Sequence, residues 1–334
     1  MADTSYKAAN TRVHWAGANA DVDIHLEAYE GDIDGSFRVE SLFRGSGLTN
    51  FKSVAAQSNT WRGDRMGGVA VKGRKSGTAL DSQRVVNDKL VITVDTTSYI
   101  RTPIDYEDDW TAPDRQTELS AEHGTAHAKA FDQAHIIQLI KAGAWVAPAD
   151  LKASGAFYDG ISKTMTGYAA ETNLEVKADL IVQAHKAALA DFVKRDLGGS
   201  LAEFVTLIEP DTFNVLLEHK KLMNVDFQGG SSDQNFAMRR IAWLNGIRVI
   251  ETPRFPTSAI ASHFLGSAFN VTAAEAKARV VIFHPRKTLV TVEAKPMTVR
   301  YWDDEKEFNN VLDSYTMYTV GIRRGDAVAV LFTD

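Results

Sequence analysis

Phe204-Val205-Thr206-Leu207-Ile208-Glu209-Pro210-Asp211-Thr212-Phe213, and further on Asn245-Gly246-Ile247-Arg248-Val249-Ile250-Glu251-Thr252-Pro253-Arg254-Phe255-Pro256, are the segments on which the reading of this chain turns. The run Phe204–Ile208 is short and apolar and ends at a charged residue, as a buried strand does. Pro210 has no N–H to leave unpaired and a φ already suited to a helix. Asp211 adds a negative charge where the helix dipole is positive, so a helix is predicted to begin here. Phe213, Leu216, Leu217 and Lys220 give that helix one largely apolar face. A polar, glycine-containing loop follows, and Asn245-Gly246 then supplies the two positive-φ positions of a tight hairpin turn. The alternation after it predicts a strand, which Pro253 and Pro256, lacking donors, end at a sheet edge.

The 334 residues suffice for two compact domains. Hydrophobic content of 44% and charged content of 24% are those of a soluble globular protein. No apolar run reaches the roughly 20 residues that span a bilayer. Met1-Ala2-Asp3-Thr4-Ser5-Tyr6-Lys7 lacks the basic-then-apolar order of a signal peptide, which implies a cytosol-like compartment. There is no cysteine, so disulfides, thiolate metal sites and cysteine nucleophiles are excluded. A net charge of −6 argues against a protein that grips nucleic acid, while leaving open a wall that encloses it.

Along the chain, residues 1 to about 21 read as a polar arm without a core of its own. Ile24, Leu26, Tyr29, Ile33, Phe37, Val39, Leu42 and Phe43 have mixed spacing, compatible with a short helix or an extended piece, until Gly45-Ser46-Gly47 breaks the segment. Between Trp61 and Asp88, glycines alternate with Arg62, Arg65, Lys72, Arg74 and Lys75 around brief apolar pairs. That composition predicts a two-stranded excursion that cannot bury itself and must lie on another subunit. Leu90–Val94 is a strand by its β-branched content. A long helix is expected from Pro113-Asp114 to Gly143, with Leu119, Ala126, Ala130, Ala134, Ile137 and Ile140 as its packed stripe. A second is expected over Leu174–Arg195, with Ile181, Ala184, Ala188 and Phe192 inward and Gly198-Gly199 as the stop. Strands follow at Val280–Phe283, Thr288–Val292, Thr298–Trp302, Tyr315–Ile322 and Ala327–Phe332. No internal repeat is visible.

Few constellations bear chemistry. His123 and His127 stand at i, i+4 on the long helix with His135 beyond them, a spacing that can hold zinc. The protease form needs Glu after the first His, and Gly124 occupies that place, so a solvated or subunit-facing stripe is the plainer reading. Gly68-Val69-Ala70-Val71-Lys72-Gly73-Arg74-Lys75-Ser76 approaches a phosphate loop, but Arg74 intrudes after the second Gly and no helix is expected to follow. Glu107-Asp108-Asp109 and Asp303-Asp304-Glu305 lack the ligand alternation of an EF-hand and read as solvated loops or partners for arginines across a seam. No nucleophile elbow, dinucleotide fingerprint or kinase signature is present.

The order "strand, Pro-Asp helix, loop, Asn-Gly strand ending in Pro" resembles the axial domain of tailed-phage major capsid proteins of the T-seven-like podophage group. Further pieces are similar in the same order: Leu26-Glu27-Ala28-Tyr29-Glu30-Gly31, Phe37-Arg38-Val39, Lys89–Asp95 with Ile104–Asp108, Phe283-His284-Pro285-Arg286-Lys287-Thr288, and Ala327–Phe332 after Gly321. The resemblance implies an α+β fold of the Hong Kong 97 type. It would comprise an N-terminal arm (1–58), an extended loop (59–95), a peripheral domain with a spine helix (96–165 and 290–334) and an axial domain (166–289). It implies a non-catalytic shell protein without metal or cofactor, located in the virion capsid and assembled in the host cytoplasm. The implied partners are the protein itself in hexameric and pentameric capsomers, portal and scaffolding proteins, and a decoration protein where the phage has one. Packaged double-stranded DNA would be enclosed without sequence-specific binding, and no membrane is implied. The basic residues Arg62, Arg65, Lys72, Arg74 and Lys75 are the candidate inter-subunit contacts. Two other readings stand beside this one. The first is an encapsulin-like nanocompartment shell, which needs a pocket for a cargo peptide. The second is a metal-dependent enzyme built on His123 and His127.

Overall fold

The structure, a computed structural model, describes residues 41–54, 58–107, 115–219, 241 and 243–334. The expected segment from Ile24 to Val39, the helix start at Pro113-Asp114, and Lys220 with the loop after it lie outside the described residues. The chain divides into two compact units. Among the described residues the first comprises Thr97–Lys129 and Lys295–Met317, and the second Ser41–Thr96, Ala130–Ala294 and Tyr318–Asp334.

The second unit is built around a six-stranded sheet. Its strands are β5 (Ile161–Met165), β6 (Val205–Ile208), β7 (Trp243–Leu244), β8 (Ile247–Glu251), β9 (Ala278–Phe283) and β12 (Val328–Thr333), in the order β5-β12-β9-β6-β8-β7. β6 runs parallel to β8 and antiparallel to β9, and all four of its residues are buried. Side chains alternate between faces along a strand, so these continuous apolar runs make both faces of the sheet hydrophobic. On one face Val205, Leu207, Val281, Phe283, Val328 and Val330 join one core with Ile136, Ile137, Leu139 and Ile140 of the long helix α1 (Arg115–Gly143). On the other, Ile208, Val280, Ile282, Ala329 and Leu331 join a second core. That core also holds Ile181 and Phe192 of α3 (Leu174–Lys194), which follows the short helix α2 (Ala149–Ala153), and Phe213 and Leu216 of α4 (Pro210–Leu217).

The segments that opened the reading form as expected. Pro210 is the first residue of α4, and Phe213, Leu216 and Leu217 are buried. Glu209, just before it, turns its carboxylate to Arg279 Nε (3.1 Å) and accepts from Thr212 Oγ1 (3.2 Å), so it ties the helix start to β9. Asn245 and Gly246 have φ of +51° and +81° between the paired strands β7 and β8. That is the mirror-image turn which two-residue hairpins favour.

The first unit pairs β4 (Thr97–Asp105) with β11 (Asn309–Ile322), antiparallel from Asn309 opposite Asp105 to Met317 opposite Thr97. These strands belong to a four-stranded sheet in the order β1-β10-β11-β4, where β1 is Asn50–Ser53 and β10 is Leu289–Asp304. The expectation of two separate strands, Thr288–Val292 and Thr298–Trp302, is corrected, because β10 runs unbroken through Pro296. β1 pairs with β10 over Val290–Glu293, short of Pro296, so the missing N–H of Pro296 breaks no bond of that ladder. The stop of α3 is also corrected. The helix ends at Lys194, Asp196 takes the left-handed conformation (φ +58°), and Gly198 lies in a following 3-10 turn.

Two glycines let α1 close on the sheet. A Cβ on Gly160 would fall on the carbonyl oxygens of Ala142 and Gly143, the second only 2.6 Å away. Backbone carbonyls cannot turn aside as a side chain can. We expect Gly160→Ala to destabilise the subunit by about 2–3 kcal/mol, read as a lowered urea midpoint. Gly73→Ala, where nothing lies within 4 Å, should leave the midpoint in place.

Candidate inter-subunit surface and the buried histidines

β2 (Thr60–Met66) and β3 (Asn87–Thr93) pair antiparallel in a two-stranded sheet of their own. Its base is fastened to the rest of the second unit. Arg65 donates through Nε to Arg323 O and through Nη2 to Ile322 O, both at 3.0 Å, and ion-pairs with Asp88 at 3.3 Å. Its guanidinium lies over the Trp145 ring, 5.5 Å from the centroid. Gly68 N donates to Ser154 Oγ at 3.0 Å, and a Cβ there would stand 2.8 Å from Ser154 O.

The structure therefore separates the five basic candidates. Arg65 is held inside its own chain, its side chain 9% exposed. Arg62 is exposed on β2, beside an equally exposed Asp64 at 3.2 Å. Lys72, Arg74 and Lys75 gather in the loop beyond the strands, where Lys72 pairs with Asp81 and Arg74 donates to Thr78 O. Sequence reasoning gave the loop its charges and passed over its apolar residues. Met66, Val69, Val71 and Leu80 are between 69% and 102% exposed. The available signal was their placement among glycines, where no second strand could cover them. No helix follows Gly68–Ser76, so the phosphate-loop near miss lacks the helix N-terminus it would need.

The helix stripe is corrected as well. Ala126 is exposed and Ala130 half-buried, while His123, Thr125 and His127 face inward. The reading of His123 and His127 as solvated is overturned by hydroxyls opposite them. Ser314 Oγ on β11 lies 3.1 Å from His123 Nδ1 and 3.0 Å from His127 Nε2, and Thr102 Oγ1 on β4 lies 2.8 Å from His123 Nε2. Sequence reasoning missed Ser314 and Thr102. The signal lay in the polar inward positions of the β11 alternation, Ser314 and Thr316 after Leu312. Among the described residues no group of three or more His, Asp or Glu side chains gathers as metal ligands would. Of the acidic groups, Asp303-Asp304-Glu305 lies at the end of β10, where Asp304 Oδ1 accepts from Lys306 N at 3.2 Å. Of Glu107-Asp108-Asp109, only Glu107 is described.

All seven described histidines are buried, none more than 9% exposed. His135 donates from Nδ1 to Phe131 O at 2.7 Å, which leaves Nε2 to accept from Thr291 Oγ1 at 2.7 Å. Phe43 stacks on its ring at 4.7 Å. His185 accepts at Nδ1 from Asn245 Nδ2 (3.0 Å) and donates from Nε2 to Thr206 Oγ1 (3.1 Å). Burial penalises the charged imidazole and lowers both pKa values to about 4. Asp132 is a further buried brace, accepting from Ser41 Oγ (2.6 Å), Leu42 N (2.7 Å) and Phe43 N (3.2 Å).

The fold has clear counterparts among solved structures. The chain matches the asymmetric unit of the bacteriophage PhiM1 mature capsid at 49% identity, covering 99% of this chain and 98% of that one, with a TM-score of 0.82. It matches the capsid structure of the cyanophage P-SCSP1u at 15% identity over 97% and 98% of the two chains, with a TM-score of 0.76. The capsid of an empty GTA particle matches at 14% identity over 90% and 99%, with a TM-score of 0.59. No protein-family model matches the chain, and neither does any curated protein.

Two expectations follow from this geometry. Arg65→Ala strands two backbone carbonyls and should destabilise the unassembled subunit by about 2–3 kcal/mol. Arg74→Ala should stay within about 0.5 kcal/mol of the parent, both measured by urea unfolding. The second concerns acid. A histidine that is neutral when folded lets the unfolded chain take the proton first. Its stabilisation is therefore complete above pH 6.5 and drains as pH falls towards about 4. His135 and His185 should each lose about 3 kcal/mol across that window. His185→Gln should flatten the fall in thermal midpoint between pH 6.5 and 4, and an unchanged pH profile would remove His185 from the account.

Proposed function

This chain belongs to the tailed-phage major capsid proteins of the Hong Kong 97 type fold, and from that membership we propose that it assembles with copies of itself into the capsid shell of a virion. The observation that carries the reading is the β2–β3 hairpin. It is anchored at its base through Arg65, and among the described residues its two strands pair only with each other. Met66 at the end of β2, with Val69, Val71 and Leu80 in the loop, is exposed to solvent in the single chain. Burying such side chains contributes about 1.5–3 kcal/mol each. A second copy that covers them makes the extended loop an element of assembly, with little part in subunit folding.

In this reading the subunits form six- and fivefold rings, head-to-tail arrangements in which the same two faces meet repeatedly around an axis. Arg62, Lys72, Arg74 and Lys75 lie at the rim of that contact. Exposed ion pairs contribute only about 0–1 kcal/mol each, so apolar burial carries the cohesion and the charges set register. With no cysteine, the shell has no disulfide staple. The net charge of −6 suits a wall that encloses DNA without holding it. Portal and scaffolding proteins, and assembly in the host cytoplasm, belong to the same proposal.

The test separates folding from assembly. Deleting Gly67–Gly77, or substituting Val71→Asp with Leu80→Asp, should give soluble subunits with an unchanged far-UV spectrum. Particle yield by light scattering and electron microscopy should fall at least about tenfold, as expected for the loss of buried apolar contacts in every interface. Closed shells at normal yield from both variants would take this hairpin out of the assembly interface.

A further inference from the structure

Within the first unit, α1 meets its sheet through polar groups. Ser314 Oγ, fully buried on β11, lies between His123 Nδ1 and His127 Nε2, and His123 Nε2 reaches Thr102 Oγ1 on β4. These contacts form one hydrogen-bonded chain, Thr102–His123–Ser314–His127. Among the described residues, the apolar cluster that includes Phe131, Ala134, Ile136, Ile137, Leu139, Ile140 and Ala142 of the same helix takes no member from 115–129.

A serine hydroxyl has one proton to give and lone pairs to accept with. Between two neutral imidazoles it donates to one nitrogen and accepts from the other, so both ring nitrogens that face it are paired. One added proton can be accommodated, because the charged imidazole donates to Ser314 Oγ and the O–H turns to the neutral one. A second cannot. Both nitrogens then aim N–H groups at one oxygen, the serine proton loses its acceptor, and two like charges stand one helical turn apart in a buried interface.

The charges around the chain set the order of protonation. β11 supplies Asp313 and β4 supplies Arg101, joined to each other at 2.7 and 2.9 Å, and β10 supplies Arg300, which acts on Asp313. β4 also carries Asp105, and α1 carries Glu122 and Lys129. Burial holds both imidazoles below their ordinary range. Asp313 draws a proton towards His123, and a charge on His123 disfavours one on His127.

We propose that Thr102–His123–Ser314–His127 is an acid-operated latch: with at most one added proton it holds the first half of α1 to β4 and β11, and the second proton releases that half while the apolar packing of 130–143 persists. The experiment is hydrogen–deuterium exchange on the full-length protein, resolved by peptide along α1 from pH 7 to 4.5 and corrected for intrinsic exchange rates. Peptides within 115–129 should lose protection about tenfold or more, at a higher pH than peptides within 130–143. In His127→Gln, which can hydrogen-bond but cannot take the proton, that acid step should vanish. His123→Gln should behave alike and stands in if the first variant does not fold. The proposal is overturned if both halves lose protection at one pH, if 115–129 stays protected down to pH 4.5, or if the step survives in either variant.

Discussion

Strands β6, β9 and β12 carry apolar residues at successive positions, so a single sheet presents two hydrophobic faces, and a sheet with two such faces has to be covered twice. The alternation of side chains decides which helix goes where. Val281 and Phe283 face the core that α1 enters, and Val280 and Ile282 face the core of α3 and α4. A one-residue slip in register would exchange the two sets, so the layering is specified by many residues together. The close approach at Gly143 and Gly160 depends on this arrangement, since a helix lying farther from the sheet would leave room for side chains there.

The hairpin is the element this core leaves out. Arg65 fixes its base with charged hydrogen bonds to two backbone carbonyls, and among the described residues Met66, Val69, Val71 and Leu80 beyond it stay exposed. An arm with a rigid root and an apolar loop is poorly served in an isolated subunit and well served in a lattice. In the proposed assembly, the residues left exposed in the single chain are those that a neighbouring copy covers. Without cysteine, no disulfide can hold copies of the chain together.

Buried histidines do the polar bracing elsewhere. A neutral imidazole has one donor and one acceptor, and at His135 and His185 each is matched by a hydroxyl, an amide or a carbonyl. His135 links α1 to Thr291 on β10, and His185 links α3 to Thr206 on β6 and to the Asn245 turn. Such braces specify geometry well at neutral pH and become liabilities when the ring must be charged. Acid sensitivity is thus a consequence of how the layers are fastened.

Much of this could be read in the sequence. The Pro210 helix start, the Asn245-Gly246 turn, the strands at Phe204–Ile208 and Val280–Phe283, and the two-stranded excursion between Trp61 and Asp88 follow from local propensity and periodicity. These act over a few residues and need no knowledge of what lies opposite. The order of those pieces pointed to the family. What the sequence left open was every property that depends on the facing surface. His123 and His127 looked solvated because nothing in their own helix shows that Ser314, far along the chain, will lie between them. Arg65 and Arg74 looked alike because charge is a property of the residue, whereas burial is a property of its neighbours. Thr288–Val292 and Thr298–Trp302 read as two strands because only the structure shows that β10 runs unbroken between them. Local chemistry determined which elements form, and tertiary packing decided which of their faces meet, because side chains far apart in sequence share a surface only after the chain has folded.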